Sequence, residues 1–309
     1  MSDNKKNQKN HDHSHHEGCG HDHSHEHSHE HHDGCGHDHS HEHHDGCGHN
    51  HSHEHTSHKR HNFSADVIKS YEKKNLDELM EIADNFLTDE EFGKVVPIFE
   101  IGLAKLLKEA QNTPESQQEL INLKQNLAFT YGIIGEHAPA IPLWTDVISF
   151  KEVKGEEDED LLDDYFGMAL SLEQCDKKDD FLKCIQKGLS LAKKKNFEEY
   201  VASFEHELGG FYCDAQDYEK SQLHLTNALT IREKQEDVIG LTMTKLYLGI
   251  LFEEQKLFDK AKFYYEQALE LSKNQDHSEE LHGEREEIEM RLSKIQNSNL
   301  KNKLNNLSK

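Results

Sequence analysis

Small and large apolar residues recur at fixed intervals along the chain after residue 75, and the same arrangement is found five times. Each copy begins with a small residue. A large apolar residue follows three positions later, and further small or apolar residues follow 12, 16 and 19 positions later. The small residues are Ala83, Ala128, Ala169, Gly209 and Gly249. Side chains three or four positions apart share one face of a helix, and a small residue lets a second helix cross closely. The pattern therefore predicts five antiparallel helix pairs.

Successive copies are 40 to 45 residues apart, as in a repeat protein. One helix pair cannot bury its own apolar face, whereas stacked pairs share a continuous core. A further helix is predicted over residues 278–296, where Leu281 and Ile288 recur at helical spacing, and it would cover the open face of the last pair. The sequence thus predicts an all-α solenoid over residues 63–274, followed by a capping helix and a frayed end over residues 275–309.

The repeat unit resembles that of the tetratricopeptide repeat (TPR) family. The positions that carry the resemblance are Gly249, Phe252, Ala261, Tyr265 and Ala268 in the last copy, and Leu127, Ala128, Tyr131, Ala140 and Trp144 in an earlier one. The resemblance covers residues 75–273, and units longer than the usual length of about 34 residues are similar to those of kinesin light chains. It implies a right-handed superhelix of helix pairs with a concave groove that binds extended peptides. Phe181 departs from the pattern, because its position usually holds a small residue.

The N-terminal part of the chain has a different composition. Residues 11–62 contain no Ala, Val, Ile, Leu, Met, Phe, Trp or Tyr, and they hold 22 of the 27 His. Such a segment buries too little apolar surface to offset the loss of chain entropy. We therefore expect residues 1–62 to form a disordered tail.

Three copies of a His- and Cys-rich motif make up most of this tail, and each holds one Cys between two Gly. Imidazole and thiolate are preferred ligands of Zn²⁺, and imidazole also suits Ni²⁺. The candidate metal ligands are Cys19, Cys35, Cys47, His21, His23, His25, His37, His39, His41, His49, His51 and His53. We expect labile binding of Zn²⁺ or Ni²⁺ and no organic cofactor.

Two other interpretations of the tail stay open. Short His-rich tracts can expand by slippage and persist without a function. The tail can also act as a pH sensor, because His has an ordinary pKa of about 6.5. Its 11 acidic and 5 basic residues give a net charge of −6 with neutral His, and protonation of its 22 His would change this to +16.

Charge and motifs exclude several classes of function. The formal net charge is −25, whereas nucleic-acid binding requires clustered Lys and Arg. No run of 18 apolar residues predicts a membrane span, and no secretory signal precedes the tail, so we expect a cytoplasmic protein with its six Cys outside any disulfide framework. No phosphate-binding loop, nucleophile elbow or HExxH motif is found, so we expect no catalysis.

The leading hypothesis is a non-catalytic scaffold that binds a protein partner in its groove. The register places Asn122, Gln125, Ser203 and His206 at groove-facing positions of first helices.

One TPR subclass binds the acidic C-terminal tails of chaperones through a basic clamp. The matching positions here are Met80, Asp84, Asn126, Asp163 and Phe166. Only the Asn fits, so we expect no binding of an acidic chaperone tail.

Two alternatives belong to other classes. In the first, the tail is the working part of a metal buffer or metallochaperone and the repeats deliver it to a client. In the second, the long repeats serve a motor, ciliary or cytoskeletal adaptor. Partner binding without the tail would favour the scaffold, and loss of metal tolerance on tail removal would favour the metallochaperone.

Overall fold

A computed structural model describes residues 59–109, 113–273, 277 and 279–307 of the chain, with the side chains of 109 and 298–307 left out of the description. These residues form twelve helices. They are α1 Ala65–Glu72, α2 Leu76–Thr88, α3 Phe92–Glu109, α4 Pro114–Ile133, α5 His137–Lys154, α6 Glu159–Gln174, α7 Lys178–Lys195, α8 Glu198–Asp214, α9 Tyr218–Gln235, α10 Val238–Glu254, α11 Phe258–Leu271 and α12 His282–Leu307. The twelve metal ligands predicted in the tail lie outside the described residues.

Consecutive helices pack against each other from α2 to α12, and each of the five predicted pairs is present. The pairs are α2 with α3, α4 with α5, α6 with α7, α8 with α9 and α10 with α11. The prediction of an all-α solenoid with five repeats and a further C-terminal helix is therefore confirmed.

Each pair turns at a residue in the left-handed backbone region, always seven positions after its small residue. These residues are Glu90, Gly135, Asp176, Gln216 and Lys256, with φ between 53° and 77°. The N–H of the following residue donates to a carbonyl of the first helix at 2.8–2.9 Å in all five pairs, which is the six-to-one bond of a Schellman motif. Only one of the five is glycine, so glycine does not mark the other four turns.

The repeat register is the one that the sequence predicts. All five small residues are buried, and so are the residues 12, 16 and 19 positions after each of them. A Cβ on Gly249 would lie 2.3 Å from Cε1 of Tyr265, and a Cβ on Gly209 would lie 2.5 Å from Cγ of Leu225. The two helices of a pair thus cross at a distance that only a very small residue permits.

The copy around Ala169 keeps this register although Phe181 replaces the usual small residue. The Phe181 side chain is 0% exposed, and its ring stacks on Phe211 of α8 with the ring centroids 5.2 Å apart. Seven residues later, Gly188 leaves room for the ring of Phe204. A Cβ added at Gly188 would lie 2.5 Å from Cζ of that ring. The next pair therefore accommodates the larger side chain by interlocking aromatic rings from α7 and α8.

A cation–π contact recurs beside three of the turns. The amine of Lys94 lies 5.1 Å from the centroid of the Phe86 ring. The amines of Lys220 and Lys260 lie 4.8 and 5.0 Å from Tyr212 and Phe252 in the same register. Each such contact contributes about 0.5–1 kcal/mol at an exposed site, so it supports the turn without deciding the fold.

Residues 59–62, which the sequence assigns to the tail, contact the first pairs. The Arg60 guanidinium donates to Glu100 of α3 at 2.5 Å and to Glu136 at 3.1 Å. The N–H of His61 donates to the carbonyl of Gly93 at 2.8 Å. A cation between two carboxylates from separate pairs is a tertiary arrangement, so composition alone does not reveal it.

The C-terminal helix α12 packs against α10 and α11. Its apolar residues Ile288, Leu292 and Ile295 are buried, as the predicted cap requires. The helix continues to Leu307, so residues 297–307 are helical where the sequence predicted fraying. The segment contains neither Pro nor Gly, which would end a helix.

The close crossing predicts opposite effects for two glycine-to-alanine changes. Gly249→Ala forces a methyl group onto the buried Tyr265 ring and should lower the free energy of unfolding by about 1–3 kcal/mol. The Cβ that Gly132→Ala adds in α4 meets no atom within 4 Å. This change should therefore raise the free energy of unfolding by about 0.5–1 kcal/mol. Urea unfolding followed by circular dichroism measures both. Equal free energies of unfolding for the two variants would contradict the close helix crossing at Gly249 and Tyr265.

Candidate partner-binding surface

The solenoid has two layers, and the first helices form the more closely spaced one. The helices α4 and α6 contact each other across neighbouring pairs, as do α8 and α10. The second helices make no comparable contacts with each other among the described residues. We call α2, α4, α6, α8 and α10 the inner layer, and α3, α5, α7, α9 and α11 the outer layer. Closer contact between first helices favours an array that curves toward them, and we call the solvent-facing side of the inner layer the concave side.

Charge is divided unevenly between these layers. The inner layer carries 18 Asp and Glu and 2 Lys, whereas the outer layer carries 11 Asp and Glu and 16 Lys and Arg. Both inner lysines are drawn toward the outer layer, since Lys124 pairs with Asp146 of α5 at 2.5 Å and Lys245 donates to Gln267 of α11 at 2.6 Å. The inner layer is therefore strongly anionic as a whole.

Some inner-layer acids are neutralised by the outer layer. Asp164 of α6 is 0% exposed and pairs at 2.5 Å with Lys151 of α5, which is 2% exposed. Burial raises the pKa of Asp164 to about 6, although the Lys151 ion pair opposes this rise. Arg232 of α9 occupies the same register as Lys151 and donates to Thr244 of α10 at 2.5 Å. These two cations join one pair to the next, and removing one partner of a buried ion pair costs about 3–5 kcal/mol.

Glu205 of α8 is neutralised in a similar way. It is 2% exposed, and it accepts hydrogen bonds from Lys193 of α7 at 2.7 Å and from Asn227 of α9 at 3.1 Å, while His224 lies 2.7 Å away. Burial opposes ionisation, but these three partners together lower the pKa of Glu205 to about 2. The carboxylate therefore stays ionised and links three successive helices.

Burial opposes the ionisation of other inner-layer acids. Burial, with the charges of Glu207 and Asp214, raises the pKa of Glu173 to about 8. Burial also raises the pKa of Glu207 to about 7, and the charge of Arg232 opposes this shift. Glu173 lies on α6, and Glu207 and Asp214 lie on α8. Burial raises the pKa of the Tyr247 hydroxyl on α10, and the charges of all three acids raise it further. We call Glu173, Glu207 and Asp214 the acidic patch.

The four groove residues predicted from the register differ in position. Asn122 is exposed and accepts a hydrogen bond from Gln118 at 2.9 Å, and Ser203 is half-buried. Gln125 donates to Asp160 and Asp164 of the next pair at 2.9 Å. His206 is 2% exposed, and its ring lies 4.7 Å from that of Tyr247. Partner contact at these positions stays a prediction, and at Gln125 and His206 it would require the contacts between pairs to be exchanged.

The structure reveals an exposed stripe on α4 that the register did not single out. Asn122, Asn126 and Phe129 follow one another at intervals of four and three residues, so they share one helix face. All three are exposed, and the Phe129 side chain is 61% exposed. The carboxamide of Asn126 has no hydrogen-bond partner among the described residues. We call these residues the α4 stripe, and its helical spacing is the sequence signal that could have found it.

Other candidate sites are weaker. A cleft of about 380 Å³ lies between the α5–α6 loop and α7, but its charges pair internally, as Lys187 with Glu152 at 3.0 Å and Lys194 with Glu157 at 2.7 Å. Burial raises the pKa of the Cys184 thiol to about 12, which suppresses its reactivity.

Within residues 59–109, 113–273, 277 and 279–307, no group of three or more His, Cys, Asp or Glu is arranged to hold a metal ion. Over the same residues, no helix is long and apolar enough to cross a membrane.

Comparison with known proteins identifies the repeat in the C-terminal pairs. Residues 200–274 match the tetratricopeptide repeat family model. This segment is therefore similar to the tetratricopeptide repeat. No curated protein is significantly similar to the chain in sequence.

Solved structures show the same fold over most of the chain. The apo form of RapI is 18% identical with a TM-score of 0.60, over 75% of this chain and 83% of that one. BtubC (BKLC) from P. vanneervenii is 19% identical with a TM-score of 0.52, over 68% and 91% of the two chains. TPR-like repeats of kinesin light chain type from Podosopora anserina are 16% identical with a TM-score of 0.52, over 64% and 94%. At these identities the likeness concerns the TPR fold alone.

The raised pKa values of the acidic patch predict a pH-dependent stability. Glu173 and Glu207 have folded-state pKa values of about 8 and 7, above the ordinary value of 4.5. Between the ordinary pKa and the raised pKa values, the folded state therefore binds more protons than the unfolded state, so the free energy of unfolding decreases as pH rises. The stability that comes from these two protonated carboxyls is lost once pH has risen through about 7 and 8. The unfolding midpoint of the protein should fall between pH 6 and 9, and the double variant Glu173→Gln/Glu207→Gln should show a shallower fall.

A matched control uses Glu219→Gln/Glu266→Gln on the outer layer, where both side chains are exposed. This control changes the net charge by the same amount and should keep the pH dependence of the native protein. Identical slopes for the two double variants in thermal unfolding would show that the patch acids titrate normally.

Proposed function

We propose that this protein is a non-catalytic interaction scaffold, which binds an extended segment of a protein partner along the concave side of its inner layer. The observation that carries the proposal is the α4 stripe. The free carboxamide of Asn126 can donate to and accept from a peptide backbone, and the exposed ring of Phe129 beside it can bury an apolar side chain. The TPR match and the TPR fold of the similar structures support a role in protein interaction.

The described residues place this surface on a rigid support. The residue adjacent to Phe129, Ala128, is fully buried against the second helix of its pair, and Thr130 and Tyr131 are buried as well. A binding surface on packed helices needs little ordering when a partner arrives, which favours affinity. Roles as a motor, ciliary or cytoskeletal adaptor stay predictions, because the likeness to kinesin light chain repeats concerns the fold, and so does the cytoplasmic location.

Substitution of Phe129 tests the scaffold proposal. Phe129→Ala should weaken partner binding at least tenfold, because an anchoring aromatic at an interface contributes about 2 kcal/mol or more. The control is Phe263→Ala on α11 of the outer layer, whose side chain is 56% exposed. Partners would be captured from lysate by the full chain, identified by mass spectrometry, and their affinities then measured with purified protein. A partner that binds both variants equally well would place the interface elsewhere.

We propose a second activity for the His-rich tail, namely labile binding of Zn²⁺ or Ni²⁺. The supporting observation is the sequence, in which each of three motifs combines one Cys with several His. A metal buffer or metallochaperone is the alternative whole-protein function, in which metal loading would change what the repeats bind.

Isothermal titration at pH 7.2 with reduced thiols tests metal binding. The full chain should bind about three Zn²⁺ ions tightly, one for each Cys-containing motif. The variant Cys19→Ser/Cys35→Ser/Cys47→Ser should bind them at least tenfold more weakly, since thiolate is lost from each site. Uptake without a defined stoichiometry, unchanged by the Ser variant, would favour neutral expansion of the tail.

A further inference from the structure

Residues 59–63, which we call the strap, cross the edge of the first two helix pairs. The Arg60 guanidinium donates to Glu100 on α3 and to Glu136, which directly precedes α5. Three residues later, the ring of Phe63 lies 6.3 Å from the ring of Phe86 on α2. Two side chains of the strap thus contact residues of both pairs.

The polar part of the surface under the strap is arranged to hold a guanidinium. Tyr131 of α4 is buried, and its hydroxyl donates to one oxygen of Glu100 at 2.5 Å. This bond holds the carboxylate in place while its other oxygen accepts from Arg60 at 2.5 Å. Glu136 accepts from the second terminal nitrogen of Arg60 at 3.1 Å. The planar fork of a guanidinium suits two separate carboxylates, whereas the compact ammonium of Lys does not.

The backbone of the strap lies directly on Gly93, near the start of α3. The N–H of His61 donates to the carbonyl of Gly93 at 2.8 Å. A Cβ on Gly93 would lie 2.0 Å from the carbonyl oxygen of Lys59, so a larger residue would push the strap away. Glycine is unfavourable inside a helix. The close approach of the strap is therefore the physical reason for a glycine at this position.

The two ends of the array differ in how firmly they hold an arginine of this kind. At the C-terminal end, Arg291 donates to Glu253, which also accepts from the Tyr265 hydroxyl. There the arginine belongs to α12, which buries several apolar residues. The helix that follows the strap, α1, has no buried residue. Segments with few buried apolar contacts open at a low cost in free energy, so the strap is the end that can be displaced.

We infer that the surface under the strap is a binding site for a partner segment with an Arg followed three residues later by an aromatic residue, and that the strap occupies this site until such a segment displaces it. The contacts of Arg60 and Phe63 define the chemistry that the site accepts. This site is separate from the α4 stripe, so the inference goes beyond the proposed scaffold function and does not rest on it.

An external segment is the occupant to which we commit. The strap of a second copy would make only the contacts that each chain already makes within itself, so exchange between copies gains nothing. A tethered segment has an effective concentration in the millimolar range. The strap therefore excludes weak competitors and makes the site selective for segments that match both of its side chains.

The experiment measures the binding of a fluorescent peptide with the sequence of residues 59–72 to variants of the full chain, by fluorescence anisotropy. In the empty-strap variant, Arg60→Ala/Phe63→Ala, the strap loses both anchoring side chains while the site keeps its own. This variant should bind the peptide at least tenfold more tightly than the native chain, where the strap competes. A peptide with Lys in place of its Arg should bind at least tenfold more weakly.

Two further changes in the empty-strap variant locate the bound peptide. Gly93→Ala blocks the backbone approach, and Glu100→Gln/Glu136→Gln removes the carboxylates. Each should weaken peptide binding at least tenfold. The control Glu219→Gln/Glu266→Gln on the outer layer removes the same charge and should change the affinity less than twofold. Thermal unfolding of each variant separates a folding defect from a binding defect, and Gly93→Ala favours the helix that contains it.

The specificity is tested by selecting peptides from a random library on the empty-strap variant. Selected peptides should be enriched in an Arg three positions before an aromatic residue. Enrichment of unrelated sequences would overturn the partner chemistry.

Several results would overturn the site itself. Absence of peptide binding to a folded empty-strap variant would show that the strap contacts do not form a site. Equal affinity for the native and empty-strap chains, or binding that survives Gly93→Ala, would place the peptide elsewhere. A dimer of the native chain in sedimentation that Gly93→Ala abolishes would identify a second copy, and not an external segment, as the occupant.

Discussion

The whole array depends on the close crossing between a small residue of each first helix and a large residue of the second. At Gly249 and Gly209 the partner side chain occupies the space of a Cβ. This crossing fixes how each pair presents its remaining apolar face, and the next pair or α12 covers that face. Stability in such an array is a sum of contributions from each pair and from the interfaces between neighbours.

The division into layers gives carboxylates two different uses. Where an inner-layer acid faces the outer layer, as Asp164 and Glu205 do, a Lys amine pairs with it and joins successive helices. At Glu173 and Glu207 on neighbouring first helices, burial raises the pKa of both carboxyls, and the charges of Glu207 and Asp214 raise that of Glu173 further.

Repeat register is a good guide to the core and a poorer guide to the surface. It placed Gln125 and His206 in the groove, but in the structure these side chains contact the next pair. It did not single out Phe129, whose side chain is 61% exposed. The difference arises because a residue on the inner layer can turn either to solvent or to the neighbouring first helix. The distance between pairs decides which of the two it does.

The order of residues is enough to predict the helices, their pairing and the number of repeats, because these depend on periodic contacts between residues close together in the chain. Even the irregular copy with Phe181 follows that register. The charges that meet, such as Arg60 with Glu100 and Glu136, and the acids that burial makes hard to ionise, such as Glu173, follow from the tertiary packing instead. These relations join residues roughly one repeat or more apart in the chain, where small rotations between pairs change every distance. Periodicity carries no information about such rotations.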